Sequence, residues 1–152
     1  MIKIICIGKI KEKYLQVAIN DYYKRLSKYT KVKIIELDNE NYNNSIQTLN
    51  KESIKILKRI DEKDYIIALD IKGEELDTIT FTNKIKQLYD EGKSNITFII
   101  GGSDGLANNI KDKANYHLSF SKMTFPHQLF RLLLLEQLYR CYKIINNETY
   151  HK

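Results

Sequence analysis

Three glycines, Gly101, Gly102 and Gly105, stand between an apolar run and a helical pattern. Glycine permits positive φ angles and a close approach of the backbone to a ligand, so such a loop can accept a phosphate group or a nucleoside. The spacing differs from the G-x-G-x-x-G of dinucleotide-binding proteins, and no Lys-Ser/Thr pair follows as in a P-loop. On spacing alone, a structural tight turn is favoured over a ligand-binding loop.

A second segment, residues 119–128, alternates polar and apolar side chains without the residues that normally form turns. Some other part of the fold must therefore hold it in place. Near its end, His127 stands at the start of a predicted helix. A histidine there can act as a base, contact RNA or lie solvated in the first helical turn, and in isolation the last interpretation is favoured.

The predicted helix after Pro126 carries apolar residues on more than one face. A surface helix needs only one apolar stripe, so this helix is either buried within the monomer or presents its second face to another subunit. The sequence leaves both alternatives open. Arg131, Glu136 and Arg140 interrupt the apolar surface. Isolated charges are costly to bury, so we expect these three to be paired or directed at a site.

The chain ends with Tyr150, His151 and Lys152. Terminal residues are ordinarily frayed, and fraying is the favoured interpretation of this tail by itself. Its aromatic, imidazole and ammonium groups can also stack on a base and contact phosphate. Binding of RNA is therefore the functional alternative.

Hydrophobic periodicity predicts five strands that alternate with helices. The predicted strands are residues 2–7, 32–37, 65–69, 96–100 and 116–119. The predicted helices are residues 14–26, 46–60, 78–89, 106–114 and 126–145, and residues 70–73 are predicted to turn away from the third strand. This alternation indicates an α/β fold with a mostly parallel sheet and helices on both faces, in a single domain over residues 1–152.

The position of a ligand site follows from this topology. In open parallel sheets, ligands bind outside the carboxyl ends of the strands. The loops after Leu69, Ile100 and Ser119 emerge at that edge. We therefore expect these three loops to meet around a ligand.

The net charge is +6, because 25 lysines and arginines outnumber 19 aspartates and glutamates. A basic protein suits a polyanionic partner such as nucleic acid, but a lysine-rich chain can be basic without one, and charge alone leaves both interpretations open. Eight cations near the first helix can form an RNA-facing surface or simply solvate that helix: Lys9, Lys11, Lys13, Lys24, Arg25, Lys28, Lys31 and Lys33.

Two cysteines, Cys6 and Cys141, lie in a predicted strand and a distant predicted helix, which disfavours a disulfide framework or a zinc site. The amino terminus differs from a signal peptide, and no apolar run approaches the ~20 residues of a membrane span. The sequence therefore predicts a soluble, cytoplasmic protein.

Together, these segments resemble the RlmH group of SPOUT methyltransferases. Each motif is weak alone, but their order makes the resemblance specific, and it spans essentially the whole chain. The matching segments are residues 8–14 (GKIKEKY), 69–73 (LDIKG), 99–106 (IIGGSDGL), 118–127 (LSFSKMTFPH), Arg131, 136–140 (EQLYR) and 150–152 (YHK).

The resemblance implies a SPOUT-type α/β fold with a trefoil knot near the carboxy terminus, a homodimer, and S-adenosylmethionine as methyl donor, with no metal ion. It further implies methylation of N3 of a pseudouridine in 23S ribosomal RNA, on the large subunit or the assembled ribosome. The implied cofactor-binding residues are Leu69, Gly101, Phe120, Ser121, Lys122, Met123, Thr124 and Phe125. The residues implied near the target base are His127, Arg140, Tyr150 and His151, with the tail of one subunit completing the site of the other.

Two other functions fit parts of the same pattern. A non-catalytic ribosome-binding or RNA-binding protein that retains the fold would suit the basic charge, although intact pocket loops and tail argue against it. A different α/β nucleotide-binding enzyme, such as a flavodoxin-like protein, would suit the strand pattern alone.

Overall fold

The computed structural model describes residues 1–149, in which strands and helices alternate along the chain. The strands are β1 (Ile2–Ile7), β2 (Val32–Leu37), β3 (Tyr65–Glu75), β4 (Ile96–Ile100) and β5 (Tyr116–Ser119). The helices are α1 (Lys13–Leu26), α2 (Ser45–Leu57), α3 (Thr78–Asp90), α4 (Asn108–Lys113) and α5 (His127–Ile145). Each element predicted from periodicity is present, with small differences at the ends except in β3, which continues to Glu75.

The strands form one sheet in the order β2-β1-β4-β3-β5, and every neighbouring pair is parallel. All six residues of β1 and all five of β4 are buried. Strands that are buried along their whole length in this way require cover on both faces of the sheet.

Helices supply that cover on both faces. Phe98 of β4 packs in a cluster with Phe81 of α3 and Leu138 of α5. The next residue, Ile99, points to the opposite face and packs with Ile56 of α2 and Ile110 of α4. The predicted α/β architecture with helices on both faces is therefore confirmed.

The carboxyl half of β3 differs from the prediction. Residues 70–73 were predicted to turn away after Leu69, but β3 shifts its register against β5 and pairs with it again at Glu74 and Glu75. Gly73 permits this close approach, since a β-carbon there would lie 2.7 Å from the backbone carbonyl of His117. The prediction was wrong because re-pairing after a bulge depends on the partner strand, which local polarity does not reveal.

α5 contacts α1 on one side and α3 on the other. Leu134, Leu135 and Leu138 are completely buried, whereas Leu132 and Leu133 are half-buried. Burial within the monomer thus accounts for one apolar face of α5 and leaves the second partly open. Within residues 1–149, no helix combines the length and the apolar character needed to cross a bilayer.

Candidate active site

A cavity of about 500 Å³ lies where the bulge of β3 after Leu69 meets the carboxyl ends of β4 and β5. The three segments predicted to meet there all line it, although the one after Leu69 is a bulge within β3 rather than a loop, and the first turn of α5 closes one side. Its apolar lining includes Leu69, Ile100, Leu118, Phe120, Phe125 and Phe130, and its polar lining includes Asp70, Asp104, Lys111, Ser121 and Thr124. An apolar cleft of this size with a few polar groups is typical of a small-molecule site.

The glycine loop is both a tight turn and a wall of this cavity. Gly102 and Gly105 form an isolated antiparallel bridge, and the Gly105 N–H donates to the Gly102 carbonyl at 3.0 Å. A β-carbon on Gly101 would overlap the carbonyl group of Gly105. Glycine at position 101 therefore lets the turn close while its backbone faces the cavity.

The segment after β5 is held by its own hydrogen bonds and by aromatic packing. The Ser119 hydroxyl donates to the Ser121 carbonyl at 3.1 Å, and the Met123 N–H donates to the Ser121 hydroxyl at 3.0 Å. The rings of Phe120 and Phe125 lie 6.0 and 5.5 Å from that of Phe130. These contacts hold a segment whose sequence contains no turn signal.

Six consecutive residues of this segment were expected to bind a cofactor, and the cavity lining includes four of them: Phe120, Ser121, Thr124 and Phe125. Lys122 and Met123 are exposed, and 73% of the Met123 surface is accessible. Leu69 and Gly101, the other two expected cofactor-binding residues, line the cavity.

Asp70 is a cavity residue that the motifs did not identify as functional. Its carboxylate accepts the Lys72 N–H at 3.1 Å and lies 3.5 Å from His117 Nδ1 and 3.8 Å from Lys111 Nζ. Burial opposes ionisation, but the hydrogen bond from Lys72 and the neighbouring Lys111 and His117 outweigh it and lower the pKa of Asp70. Its position directly after Leu69, at a strand end, was the available signal.

His127 lines the cavity and is half-buried rather than solvated. It packs against Gly8, where an added β-carbon would lie 3.0 Å from the imidazole Nε2. Burial, and then the charge of Arg131, lower the pKa of His127 below its ordinary value of 6.5. The imidazole is therefore neutral at pH 7 and able to accept a proton.

Arg131 lies one turn further along α5 and is 2% exposed. Its Nη1 donates to Glu36 Oε2 at 2.6 Å, and its Nη2 donates to the Gly8 carbonyl at 3.0 Å. The expectation that this arginine would be paired is confirmed. Glu36 was not predicted from the sequence, although a carboxylate in a strand with four apolar residues was a signal that it has a partner.

Arg140 lies outside the cavity lining, on the last turns of α5. Its Nε donates to Glu136 Oε1 at 2.6 Å, so these charges are also paired as expected. His127 and Arg140 stand thirteen positions apart on this helix, which corresponds to roughly 20 Å. One chain therefore does not bring His127 and Arg140 to the same cavity. Tyr150 and His151, the other two expected catalytic residues, lie outside the described residues.

A family model described as a predicted SPOUT methyltransferase matches residues 1–151 of the chain. The ribosomal RNA large subunit methyltransferase H of Clostridium tetani is 52% identical, over 99% of this chain and 99% of that protein. The protein of the same name from Clostridium novyi is 50% identical with the same coverage. A solved structure of a probable methylase family protein from Haemophilus influenzae matches with a TM-score of 0.58 at 15% identity, over 99% of this chain and 70% of that one, and this likeness shows a shared fold.

Proposed function

The chain belongs to the SPOUT methyltransferases and, among them, to the ribosomal RNA large subunit methyltransferase H family, and on this premise we propose that it methylates N3 of a pseudouridine in 23S ribosomal RNA with S-adenosylmethionine as donor. The observation that supports the proposal most is the meeting of three segments, after Leu69, Ile100 and Ser119, around one cavity. The proposed place of action is the cytoplasm, where ribosomes are.

The cavity fits S-adenosylmethionine in size and chemistry. Its volume of about 500 Å³ suits a nucleoside with an amino-acid arm, and its apolar walls suit an adenine ring. Backbone groups of Leu69, Gly101 and residues 120–125 are the proposed binding groups. When bound, the donor supplies an electrophilic methyl group on a sulfonium, so no metal ion is needed in the proposal.

The protein's own task is then to align the target nitrogen and to accept its imide proton. His127 is proposed for proton removal, because it lines the cavity and its lowered pKa keeps the imidazole neutral at pH 7. His151 is the alternative group for the same step. Arg140 is proposed to stabilise negative charge on the carbonyl oxygen beside the nitrogen.

These roles require two subunits. Because His127 and Arg140 of one chain stand roughly 20 Å apart along α5, a site that uses both must take Arg140 from a second copy. The tail is proposed to come from that second copy as well. The half-buried Leu132 and Leu133 of α5 and the exposed Tyr14 of α1 offer apolar surface for such a homodimer. The trefoil knot near the carboxy terminus is part of the same proposal.

The test is methyl transfer from radiolabelled S-adenosylmethionine to large ribosomal subunits and to whole ribosomes, both from a strain deleted for this protein. We expect incorporation into 23S RNA, which mass mapping should assign to one pseudouridine. Calorimetry should detect donor binding by the free protein. Donor binding without transfer to either acceptor would favour the non-catalytic ribosome-binding protein, and absence of donor binding would refute the cofactor assignment.

A further inference from the structure

A basic segment follows β1 at the same edge of the sheet as the cavity. We call residues 8–13, with the sequence GKIKEK, the rim loop. It carries three lysines and one glutamate, and Lys9, Lys11 and Lys13 are all exposed. Because β1 is parallel to β3, β4 and β5, its carboxyl end lies at the edge where the cavity opens.

The backbone of the rim loop is held in one arrangement. The Gly8 carbonyl accepts from Arg131 Nη2 at 3.0 Å, and the Ile10 N–H donates to Glu36 Oε2 at 3.0 Å. The Ile10 carbonyl accepts from Gln16 Nε2 at 2.7 Å, while its side chain is buried. With Ile10 pointing inward, the flanking Lys9 and Lys11 point outward. A surface ordered in advance pays less entropy when it binds a partner.

The rim loop also touches the cavity wall. Gly8 packs directly against the imidazole of His127, which lines the cavity. An RNA strand whose base entered the cavity beside His127 would therefore pass its neighbouring phosphates over the rim loop. The charges there are available for such contacts. Within residues 1–149, Lys9 forms an ion pair only with exposed Asp38, at 3.2 Å, and Lys11 and Lys13 form none.

Fold topology separates these three lysines from the other basic residues near α1. α1 has 14 residues and runs back from the rim, a distance of roughly 21 Å. The other basic residues therefore lie toward the opposite edge of the sheet. They are Lys24 and Arg25 in the last turn of α1, Lys28 and Lys31 before β2, and Lys33 near the start of β2. The eight cations considered in the sequence as a possible RNA-facing surface are thus divided into two groups, and only the three rim lysines border the cavity edge.

We propose that the rim loop binds the phosphate backbone of the RNA that flanks the target nucleotide, and that Lys9, Lys11 and Lys13 make these contacts. The inference rests on the proposed function and extends it by assigning the substrate-binding surface. RNA is favoured over an acidic protein because the loop borders the cavity that a base must enter. The contacts are to phosphates, so they contribute affinity and salt dependence rather than sequence recognition.

The experiment compares two triple variants that lose the same charge. K9Q/K11Q/K13Q removes the rim lysines, and K58Q/K63Q/K86Q removes three exposed lysines on segments that lead toward the opposite edge. Filter binding to large ribosomal subunits and KM for methyl transfer are measured across a series of salt concentrations. Calorimetry with S-adenosylmethionine and thermal unfolding check that both variants remain folded.

For the rim variant we expect KM for large subunits to rise at least about tenfold, with kcat at saturation and donor affinity unchanged. Each phosphate contact contributes about 0.7 to 0.9 to the slope of log affinity against log salt, so that slope should fall by about 2 to 3. The control variant should retain the slope of the unaltered protein.

Equal losses in the two variants would overturn the proposal, because they would reflect net charge alone. A loss of donor binding in the rim variant, without a change in salt slope, would also overturn it and assign the loop a structural role. If the unaltered protein binds subunits but transfers no methyl group, the proposed function fails, while the binding measurements still decide whether the rim loop contacts RNA.

Discussion

His127 and Arg131 stand one helical turn apart on α5, and their surroundings give them different tasks. His127 borders the cavity and is half-buried, whereas Arg131 is buried and donates hydrogen bonds to two partners. The guanidinium joins Glu36 to the carbonyl of Gly8, and Gly8 in turn packs against the imidazole. Arg131 thus fixes the position of the Gly8 backbone, against which the catalytic candidate His127 packs.

The first prediction concerns the protonation of His127. Because its pKa is lowered in the folded protein, the unfolded chain binds the proton first as the pH falls. The stability linked to His127 is therefore complete above pH 6.5 and is lost as the pH falls from there toward the folded pKa. An NMR titration should give a midpoint below 6.5, and the acid limb of kcat should follow it if this histidine removes the proton.

The chain has three histidines, so the H127Q variant assigns the resonance by its disappearance. H127Q should also reduce kcat while leaving donor affinity nearly unchanged. A midpoint at or above 6.5 would contradict the environment described for the imidazole. Full activity in H127Q would transfer the proposed role to another group, with His151 as the next candidate.

The second prediction concerns Arg131. Replacing it with methionine removes the partner of Glu36 and leaves the Gly8 carbonyl without its donor. Breaking a buried ion pair by removing one partner usually costs about 3 to 5 kcal/mol. Because Glu36 is partly exposed and can be hydrated again, R131M should lower the free energy of unfolding by a little less, about 2 to 4 kcal/mol. Urea unfolding measures the loss. In the control K93M, which breaks an exposed pair with Glu91, stability should hardly change. A loss in R131M as small as that in K93M would contradict the account.

Among the elements, the loops at the carboxyl edge of the sheet are shaped by close backbone contacts. The glycine loop after β4 closes on itself through the bridge between Gly102 and Gly105. β3 runs beside β5 and shifts its register through a bulge, at which Gly73 lies close to the backbone of His117. In both places the absence of a β-carbon decides how near two backbone segments can lie, and at the glycine loop this also sets the position of the cavity wall.

The third prediction tests this at Gly101. A methyl group in G101A would overlap the Gly105 carbonyl and approach Leu106 to 3.1 Å, so the turn must open and alter the cavity wall. We expect donor affinity, measured by calorimetry, to fall at least about tenfold, or about 1.4 kcal/mol. The matched control is G92A at the end of α3, where φ is +77° but no atom lies within 4 Å.

G92A should lower stability by about 1 kcal/mol through its left-handed backbone, without effect on donor binding. Equal donor affinity in G101A and the unaltered protein would show that the wall can open without cost. It would also remove Gly101 from the proposed binding groups.

At the scale of the whole molecule, α5 separates the groups assigned to one reaction. Its first turn borders the cavity and its last turns carry Arg140, at the other end of a helix of 19 residues. The composite site across two subunits that we propose would resolve this separation, and it would make the active unit a dimer. A monomer would then bind the donor but lack part of the machinery for the transfer.

The fourth prediction follows from that arrangement. H127A and R140A should each lose most methyl transfer when assayed alone. After the two variants are mixed under conditions that exchange subunits, heterodimers should regain activity, because one of their two sites contains both native residues. Radiolabel incorporation into ribosomal RNA measures the recovery. Persistent inactivity of heterodimers that are verified by mass spectrometry would contradict a shared site.

Much of this molecule could be predicted from local patterns. The spacing of apolar residues locates all five strands and all five helices, because each pattern reflects only which faces of an element are buried. The meeting of the segments after Leu69, Ile100 and Ser119 also follows from sequence, since parallel strands run toward the same edge, although the first segment is a bulge of β3 rather than a loop. Even the distance between His127 and Arg140 was available, since both stand on one predicted helix.

Other features depend on contacts between residues far apart in the chain. The partner of Arg131 is Glu36, 95 positions away, and the return of β3 to the sheet depends on β5. In both cases, the apolar periodicity around one partner does not reveal the identity of the other partner. The sequence by itself therefore determined the elements and the edge where the site lies, because burial patterns and strand direction are local properties. Only the tertiary structure decided which charges pair, which lysines border the cavity and how the backbone closes around it, because these depend on distances between segments that only folding brings together.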